Sequence, residues 1–436
     1  MNEQALNKSA ITADAVRKAA ELAPTPFYIY DEGFIRSRCR EMKAMPNAYG
    51  LTVRYALKAN SSRALIRIVE SEGLGFDASS LNEAKRAVLA GVHPDRILLT
   101  TQEVPAGDER DDLEELLGKG LRYNACSLIQ LAAVAPFAAR NKISIGIRVH
   151  PGVGSGESVT RNTGDKYSCF GIHLSDMEEA LALVSGAGVI IDRVHVHIGS
   201  GGEPEAWREN IERELGFIEH YFPDATTINF GGGFRVARMP DEQAADIFDL
   251  GMTAKQAIER FQDRTGRKLK MEVEPGNFIM ANAGSLVSSV MDIKKTGDDG
   301  FNFVLVNGGM EVITRPLLYG SRHPFTVIAP DGTIRSNEFE LDNATTEELI
   351  IVGRCCESGD SLTLDSGHHI VPRTMARPEP GDWLVVGGAG AYCASMSPFN
   401  YNSHCQAAEF LLAENGDIRI IRQRQTLEQM TQNECD

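Results

Sequence analysis

The chain has 436 residues, enough for two or three domains around a large core. Hydrophobic residues make up 42% and charged residues 24%, the proportions of an ordinary globular protein, which excludes a fibrous, disordered or staple-dependent chain. Acidic side chains outnumber basic ones 60 to 44, and the net charge of −16 repels a phosphate backbone and argues against nucleic acid as a partner. Neither Met1 to Pro24 nor the apolar stretch Leu128 to Ala139, interrupted by Pro136, has the pattern of a secretory signal or a membrane span. Eight cysteines without a C-x-x-C pair fit a reducing compartment, so a cytoplasmic enzyme is expected.

Near the start, TPFYIYD reads as a strand that could pair with either of two domains. From about Val53 to Asn277, eight short β-branched runs alternate with longer segments of helical spacing. The runs are VRYALK ending at Lys58, GFDAS around Asp77, RILLT ending at Thr100, LRYNAC ending at Cys126, ISIGIRV ending at Val149, DRVHVHIG around His197, TTINFGGG ending at Gly233 and KLKMEVEPG ending at Gly276. Amphipathic stretches such as Ser80 to Ala90, Asp176 to Gly186 and Glu205 to Tyr221 separate them. Eight such units predict an α/β fold, a TIM-like (β/α)8 barrel over 34–284. After about Gly284, FNFVLVN, PFTVIA, ELIIVG and DWLVVGG are short apolar strands divided by turn residues, which predicts a β-sandwich or barrel-like domain from 285–436 together with 1–33.

A barrel carries its chemistry at the C-terminal ends of its strands. Lys58 ends the first in an apolar run, where a partly desolvated amine could form a Schiff base; an isolated rim lysine more often snorkels to solvent. Gly231, Gly232 and Gly233 would let backbone N–H groups approach an anion, or would simply form a tight βα turn. Glu274 could keep a pyridine nitrogen protonated, or could pair with a barrel cation. His195 and His197 share one strand face, where one imidazole could stack on a flat ring or two could bind the metal of a hydrolase.

Taken in order, Y-A-L-K-A-N at Tyr55 to Asn60, H-I-G-S-G at His197 to Gly201, the Gly231 to Gly233 triplet, E-P-G at Glu274 to Gly276, R-P-L-L-Y-G at Arg315 to Gly320, C-E-S-G-D at Cys356 to Asp360 and G-A-Y, S-M-S and N-Y-N between Gly390 and Asn402 span nearly the whole chain. In these motifs the sequence resembles the diaminopimelate decarboxylases, within the fold type III, alanine-racemase-like group of pyridoxal phosphate enzymes. The resemblance implies decarboxylation of meso-2,6-diaminopimelate to L-lysine and CO2, the last step of lysine synthesis, with pyridoxal 5'-phosphate as cofactor and no metal. It implies that Lys58 forms the Schiff base, His197 stacks on the ring, Glu274 binds the ring nitrogen, and Ser200, Gly231 to Gly233 and Tyr392 hold the phosphate. Asp77 and Gly276 join this cofactor set. It further implies a homodimer with shared sites, in which Cys356 from the partner protonates the carbanion and Glu357 recognises the distal amino group. Arg315 and Tyr319 would bind the distal carboxylate, with Ser358, Tyr392 and Asn277 completing the substrate pocket.

Alternatives follow from the same residues. A racemase of this group fits poorly because it carries Arg where Glu274 stands, and ornithine- or arginine-type decarboxylases carry Asp where Glu357 stands. A decarboxylase for another amino acid, a metal-dependent hydrolase barrel using His195 and His197, and a non-enzymatic pyridoxal phosphate carrier, which should lack Cys356, are the remaining readings. Three departures from the family pattern bear on substrate choice: Asn277 for Arg, Asn307 for Asp, and Arg354-Cys355 for Pro-Leu, with Arg322 or Arg354 available to replace the lost cation.

Overall fold

The structure is a computed structural model that describes residues 11–152, 164–197, 199, 204–340 and 345–435, with only the backbone described for 204–206. The chain divides into two compact units, Arg36–Val236 with Gln243–Ile279, and Met1–Ile35 with Ala237–Glu242 and Met280–Asp436.

The first unit is a closed barrel of eight parallel strands, as the alternating pattern predicts. Leu51–Ala56, Gly75–Ala78, Ile97–Leu99, Arg122–Ala125, Ile145–His150, Ile191–His195, Thr227–Asn229 and Lys270–Val273 pair in sequence order, and the last pairs with the first. The helices between them bury one apolar face against the barrel wall; Arg63–Ser71, for example, buries Leu65, Ile66, Ile68 and Val69. Ser80 caps Leu81–Ala90 by accepting the Glu83 N–H, which fixes where the chain leaves the second strand. The barrel interior departs from the usual branched apolar filling. Arg54, Arg193 and Glu272 occupy it at 6%, 4% and 3% exposure. A Cβ on Gly75 would stand 2.9 Å from the Arg96 carbonyl oxygen and 3.3 Å from Arg54 Nη1, and one on Gly146 would collide with the Asn124 side-chain oxygen, so both strands need glycine where their neighbours crowd in.

The second unit is a ten-stranded mixed sheet. Its N-terminal strand Phe27–Asp31 is wholly buried, antiparallel to Gly284–Lys295 and parallel to Ala408–Leu412, which answers where TPFYIYD pairs. Phe27 and Phe410 meet edge to face at 5.2 Å in a core with Val16, Ala19, Ile29, Val287 and Val385. The helix Ala13–Leu22, capped by Thr12, covers that core. Gly284–Lys295 bulges between Val290 and Asp292 and beyond it pairs with Asn302–Val306, which carries the sheet on to Thr346–Val352 and Arg373–Ala376.

Candidate active site

Because side chains alternate along a strand, residues two apart stack in successive layers along the barrel axis. Arg54 Nη2 donates to Glu272 Oε1 at 2.7 Å and Arg193 Nε to Oε2 at 2.9 Å. Burial would raise the Glu272 pKa, but the two guanidinium groups hold it at about 2. Two residues further along the same strands stand Glu274 and His195, with His195 Nε2 3.2 Å from Glu274 Oε2. Asn229 Nδ2 donates to Glu274 Oε1 at 2.7 Å and to Glu272 Oε2 at 3.3 Å, while its Oδ1 accepts the Gly231 N–H at 2.8 Å.

Burial also works against charge on Glu274, yet the hydrogen bond from His195 and the Lys58 charge keep its pKa far below the ordinary value, so it is a carboxylate. Asp77 moves the opposite way: burial and the Glu274 charge push it well up, although Lys58 opposes them. The two carboxyl groups are thus driven apart in function, one ionised and one biased toward the acid form. Asp77 Oδ1 is buried with no hydrogen-bond partner among the described residues. Burial lowers His195 more than Glu274 raises it, so its contact is an N–H of a neutral ring donating to a carboxylate. His197 is held well below its ordinary value by burial and by the Lys58 and Arg148 charges. Its Nδ1 accepts the Gly232 N–H at 3.3 Å, which places its own proton on Nε2.

The glycine triplet closes over this cluster. A Cβ on Gly231 would lie 2.8 Å from His197 Nδ1, one on Gly232 2.6 Å from the Glu274 carbonyl oxygen and one on Gly233 2.6 Å from the Gly199 oxygen. With φ of +67° and +98° at Gly231 and Gly233, the turn admits no other residue type without strain. Lys58 lies two residues beyond the end of its strand, in the single turn Leu57–Ala59, and is exposed while both neighbours are buried. The desolvated amine expected from its apolar run is therefore corrected: the turn carries its side chain out of the apolar wall. Gly276 is buried, and Asn277 is half-buried at the start of the short helix Asn277–Met280. Ser200 lies outside the described residues.

In the second unit Arg315 is buried, its guanidinium 5.6 Å from the Tyr319 ring centre and 5.9 Å from that of Tyr392, with Nη2 donating to Ser321 at 3.1 Å and Nε unpartnered among the described residues. Tyr392 has a left-handed backbone, φ +56°. Cys356, Glu357 and Ser358 form an exposed loop, pinned at its base where Asp360 accepts the N–H groups of Met310 at 2.6 Å and Cys355 at 2.8 Å. The Cys356 N–H donates to Asn402 Oδ1 at 2.8 Å. Glu311, Cys355 and Asp360 are the one cluster of three potential metal ligands among the described residues; it belongs to the second unit, whereas His195 and His197 belong to the barrel. Arg354 Nε already supplies its cation, 2.9 Å from Glu311 Oε1.

The family description "pyridoxal-dependent decarboxylase, pyridoxal binding domain" matches residues 33–281. The diaminopimelate decarboxylase of Escherichia coli K12 is 32% identical over 427 residues, 96% of each chain, and that of Methanothermobacter thermautotrophicus is 34% identical over 95% of this chain and 92% of its own. This chain belongs to the diaminopimelate decarboxylase family. A crystal structure of a diaminopimelate decarboxylase superposes with a TM-score of 0.88 at 31% identity, covering 98% of this chain and 97% of that one. The Helicobacter pylori enzyme complexed with L-lysine superposes at 0.78 with 27% identity, covering 96% and 98%.

The residues of the barrel fit the family's pyridoxal group. They offer an exposed amine at Lys58, an ionised carboxylate at Glu274, a flat neutral imidazole at His197, a glycine turn that a Cβ would fill, and an orphaned buried oxygen on Asp77. Sequence reading missed Arg148, Asn229 and the Arg54–Glu272–Arg193 set. The signal was present: Arg54 with Ala56, Glu272 with Glu274 and Arg193 with His195 share a strand face, so the inward phase set by the site residues also turns their charged neighbours inward. Arg322 and Arg354, offered as substitutes for the family arginine at Asn277, are engaged elsewhere, Arg322 with Asp241 at 2.8 Å and Arg354 with Glu311. Asn307 has a structural use: its Oδ1 accepts the Ser289 N–H at 2.8 Å, and its Nδ2 donates to Thr25 Oγ1 at 2.8 Å and to the Thr25 carbonyl at 3.2 Å.

Proposed function

We propose that this protein decarboxylates meso-2,6-diaminopimelate to L-lysine and CO2, using pyridoxal 5'-phosphate. The observation that carries the reaction type is the ionised Glu274, fixed by His195 and Asn229 where Lys58 and His197 converge. When bound, the cofactor supplies a cationic ring that accepts the electron pair left as CO2 departs. Lys58 provides the amine that anchors it, Glu274 keeps the ring nitrogen protonated, His197 lies against the ring, and the Gly231–Gly233 turn with Ser200 and Tyr392 holds the phosphate. Asp77 and Gly276 complete that shell.

Substrate recognition falls to the second unit. Arg315, buried and flanked by Tyr319 and Tyr392, takes the distal carboxylate, and Glu357 with Ser358 takes the distal ammonium. Cys356 delivers the proton that replaces CO2 on the α-carbon. Exposure of the Cys356–Ser358 loop supports its use by a second copy of the chain, hence a homodimer with shared sites. Eight unpaired thiols support a reducing cytoplasm, and the net charge of −16 supports the absence of a nucleic-acid partner. Among the described residues no helix is long and apolar enough to cross a membrane.

The test is CO2 release by the purified protein with pyridoxal phosphate, offered meso-diaminopimelate, lysine, ornithine or arginine under matched conditions. Release from diaminopimelate with L-lysine as the other product is expected. Turnover of another amino acid with silence on diaminopimelate would overturn the substrate and point to Asn277 as the redirecting change.

A further inference from the structure

We infer that Asn229 is a positioning residue that locks the ring-nitrogen carboxylate and the glycine turn into one unit. The inference rests on the reading above, in which Glu274 takes the ring nitrogen and the Gly231–Gly233 turn the phosphate.

Asn229 ends the strand Thr227–Asn229, fully buried, level with His195 on one neighbouring strand and Glu272 on the other. Its side-chain amide has two N–H bonds and one oxygen, and all three are used. One N–H reaches Glu274 Oε1 at 2.7 Å, the amide also faces Glu272 Oε2 at 3.3 Å, and the oxygen takes the Gly231 N–H at 2.8 Å. Since His195 donates to the other oxygen of Glu274, that carboxylate is gripped from the neighbouring strand and from the strand beyond it, one oxygen each. The planar amide then sets Glu274 and the first glycine of the turn at a fixed separation. A cofactor that touches both would meet a preorganised pair rather than two independent groups.

No other side chain does this. Aspartate is the same size but has no donor, and it would set a third carboxylate against Glu272 and Glu274. Alanine leaves the Gly231 N–H and one Glu274 oxygen buried without partners. Sequence gave no hint of the role, because an asparagine at the end of a β-run reads first as turn chemistry.

The test is a double-mutant cycle read by cofactor binding. Apoprotein is titrated with pyridoxal 5'-phosphate, and the dissociation constant is measured for the wild type, Asn229→Ala, Glu274→Ala and the double variant, with apoprotein melting temperatures as the folding control. Loss of a hydrogen bond to a charged group predicts binding about 10- to 100-fold weaker in Asn229→Ala. In the Glu274→Ala background the same change should cost at least tenfold less. Asn229→Asp, which keeps the volume and the acceptor for Gly231, should also weaken binding at least about tenfold and serves where the alanine variant does not fold. Additive losses in the cycle, or wild-type affinity in either Asn229 variant, would overturn the positioning role alone. A wild-type protein that does not bind pyridoxal phosphate would overturn the role together with the cofactor reading.

Discussion

Replacing Glu272 by glutamine tests whether the charged barrel interior stabilises the fold. Glu272→Gln keeps the volume but removes the one carboxylate that the buried Arg54 and Arg193 share. Its folded pKa of about 2 lies below the ordinary 4.5. At about 1.4 kcal/mol per pH unit this corresponds to roughly 3 kcal/mol of stabilisation. The same order, about 3 to 5 kcal/mol, is the usual cost of removing one partner from a buried ion pair. A folded value below the unfolded one means the stabilisation is complete above about pH 4.5 and is lost as pH falls through about 2. For a unit of this size the variant should melt on the order of 6 to 12 °C below wild type at pH 7, measured by calorimetry at matched scan rates. The deficit should shrink by about half near pH 3. A melting temperature within about 2 °C of wild type at pH 7, or a deficit that does not shrink in acid, would refute the reasoning.

Cys356→Ala should bind cofactor normally but turn over about 10²- to 10⁴-fold more slowly, in steady-state CO2 release; unchanged turnover would mean another group supplies the proton. Asn307→Asp loses its donor to Thr25 and sets an anionic oxygen against the Thr25 carbonyl, so it should lower stability by about 1 to 3 kcal/mol, seen as a melting shift, and an unaltered melt would remove the structural explanation for that residue. Arg354→Leu leaves the buried Glu311 carboxylate without its cation and should destabilise by about 3 to 5 kcal/mol, whereas the Arg354→Leu, Glu311→Gln double variant, which keeps the acceptor for the Gly309 N–H, should recover part of that loss; no recovery would show that the pair is not what Arg354 is for.

The barrel was legible because its eight strands are short β-branched runs with helical spacing between them, and the pairing of neighbours follows from parallel right-handed connections. Lys58, His197 and Glu274 were legible because each stands toward the C-terminal end of such a run. What escaped was the layer beneath them. Arg54, Arg193 and Glu272 sit inside the runs, where charged residues read as the solvent side of a half-exposed strand, and only a partner on a distant strand makes their inward direction affordable. The Thr25 bonds of Asn307 and the pairing of Arg354 with Glu311 escaped for a similar reason: each joins segments tens to hundreds of residues apart, and no local pattern encodes them.

The two layers of the barrel interior also depend on each other electrostatically. Arg54 and Arg193 bring two positive charges to one Glu272, and Arg54 also interacts favourably with the Glu274 and Asp77 carboxyl groups above. A surplus cation under the site therefore favours ionised Glu274 in a place where burial alone would protonate it. Asp77, raised by burial and by the Glu274 charge more than Lys58 lowers it, is the group that yields. A carboxylate held this way presents a buried anion, which suits the proposed part of Glu274 toward a protonated ring nitrogen. The charged interior thus bears on the site as much as on the fold: replacing it by the branched apolar filling usual for this architecture would remove the Arg54 charge and leave Glu274 to the hydrogen bonds from His195 and Asn229 and the charge of Lys58.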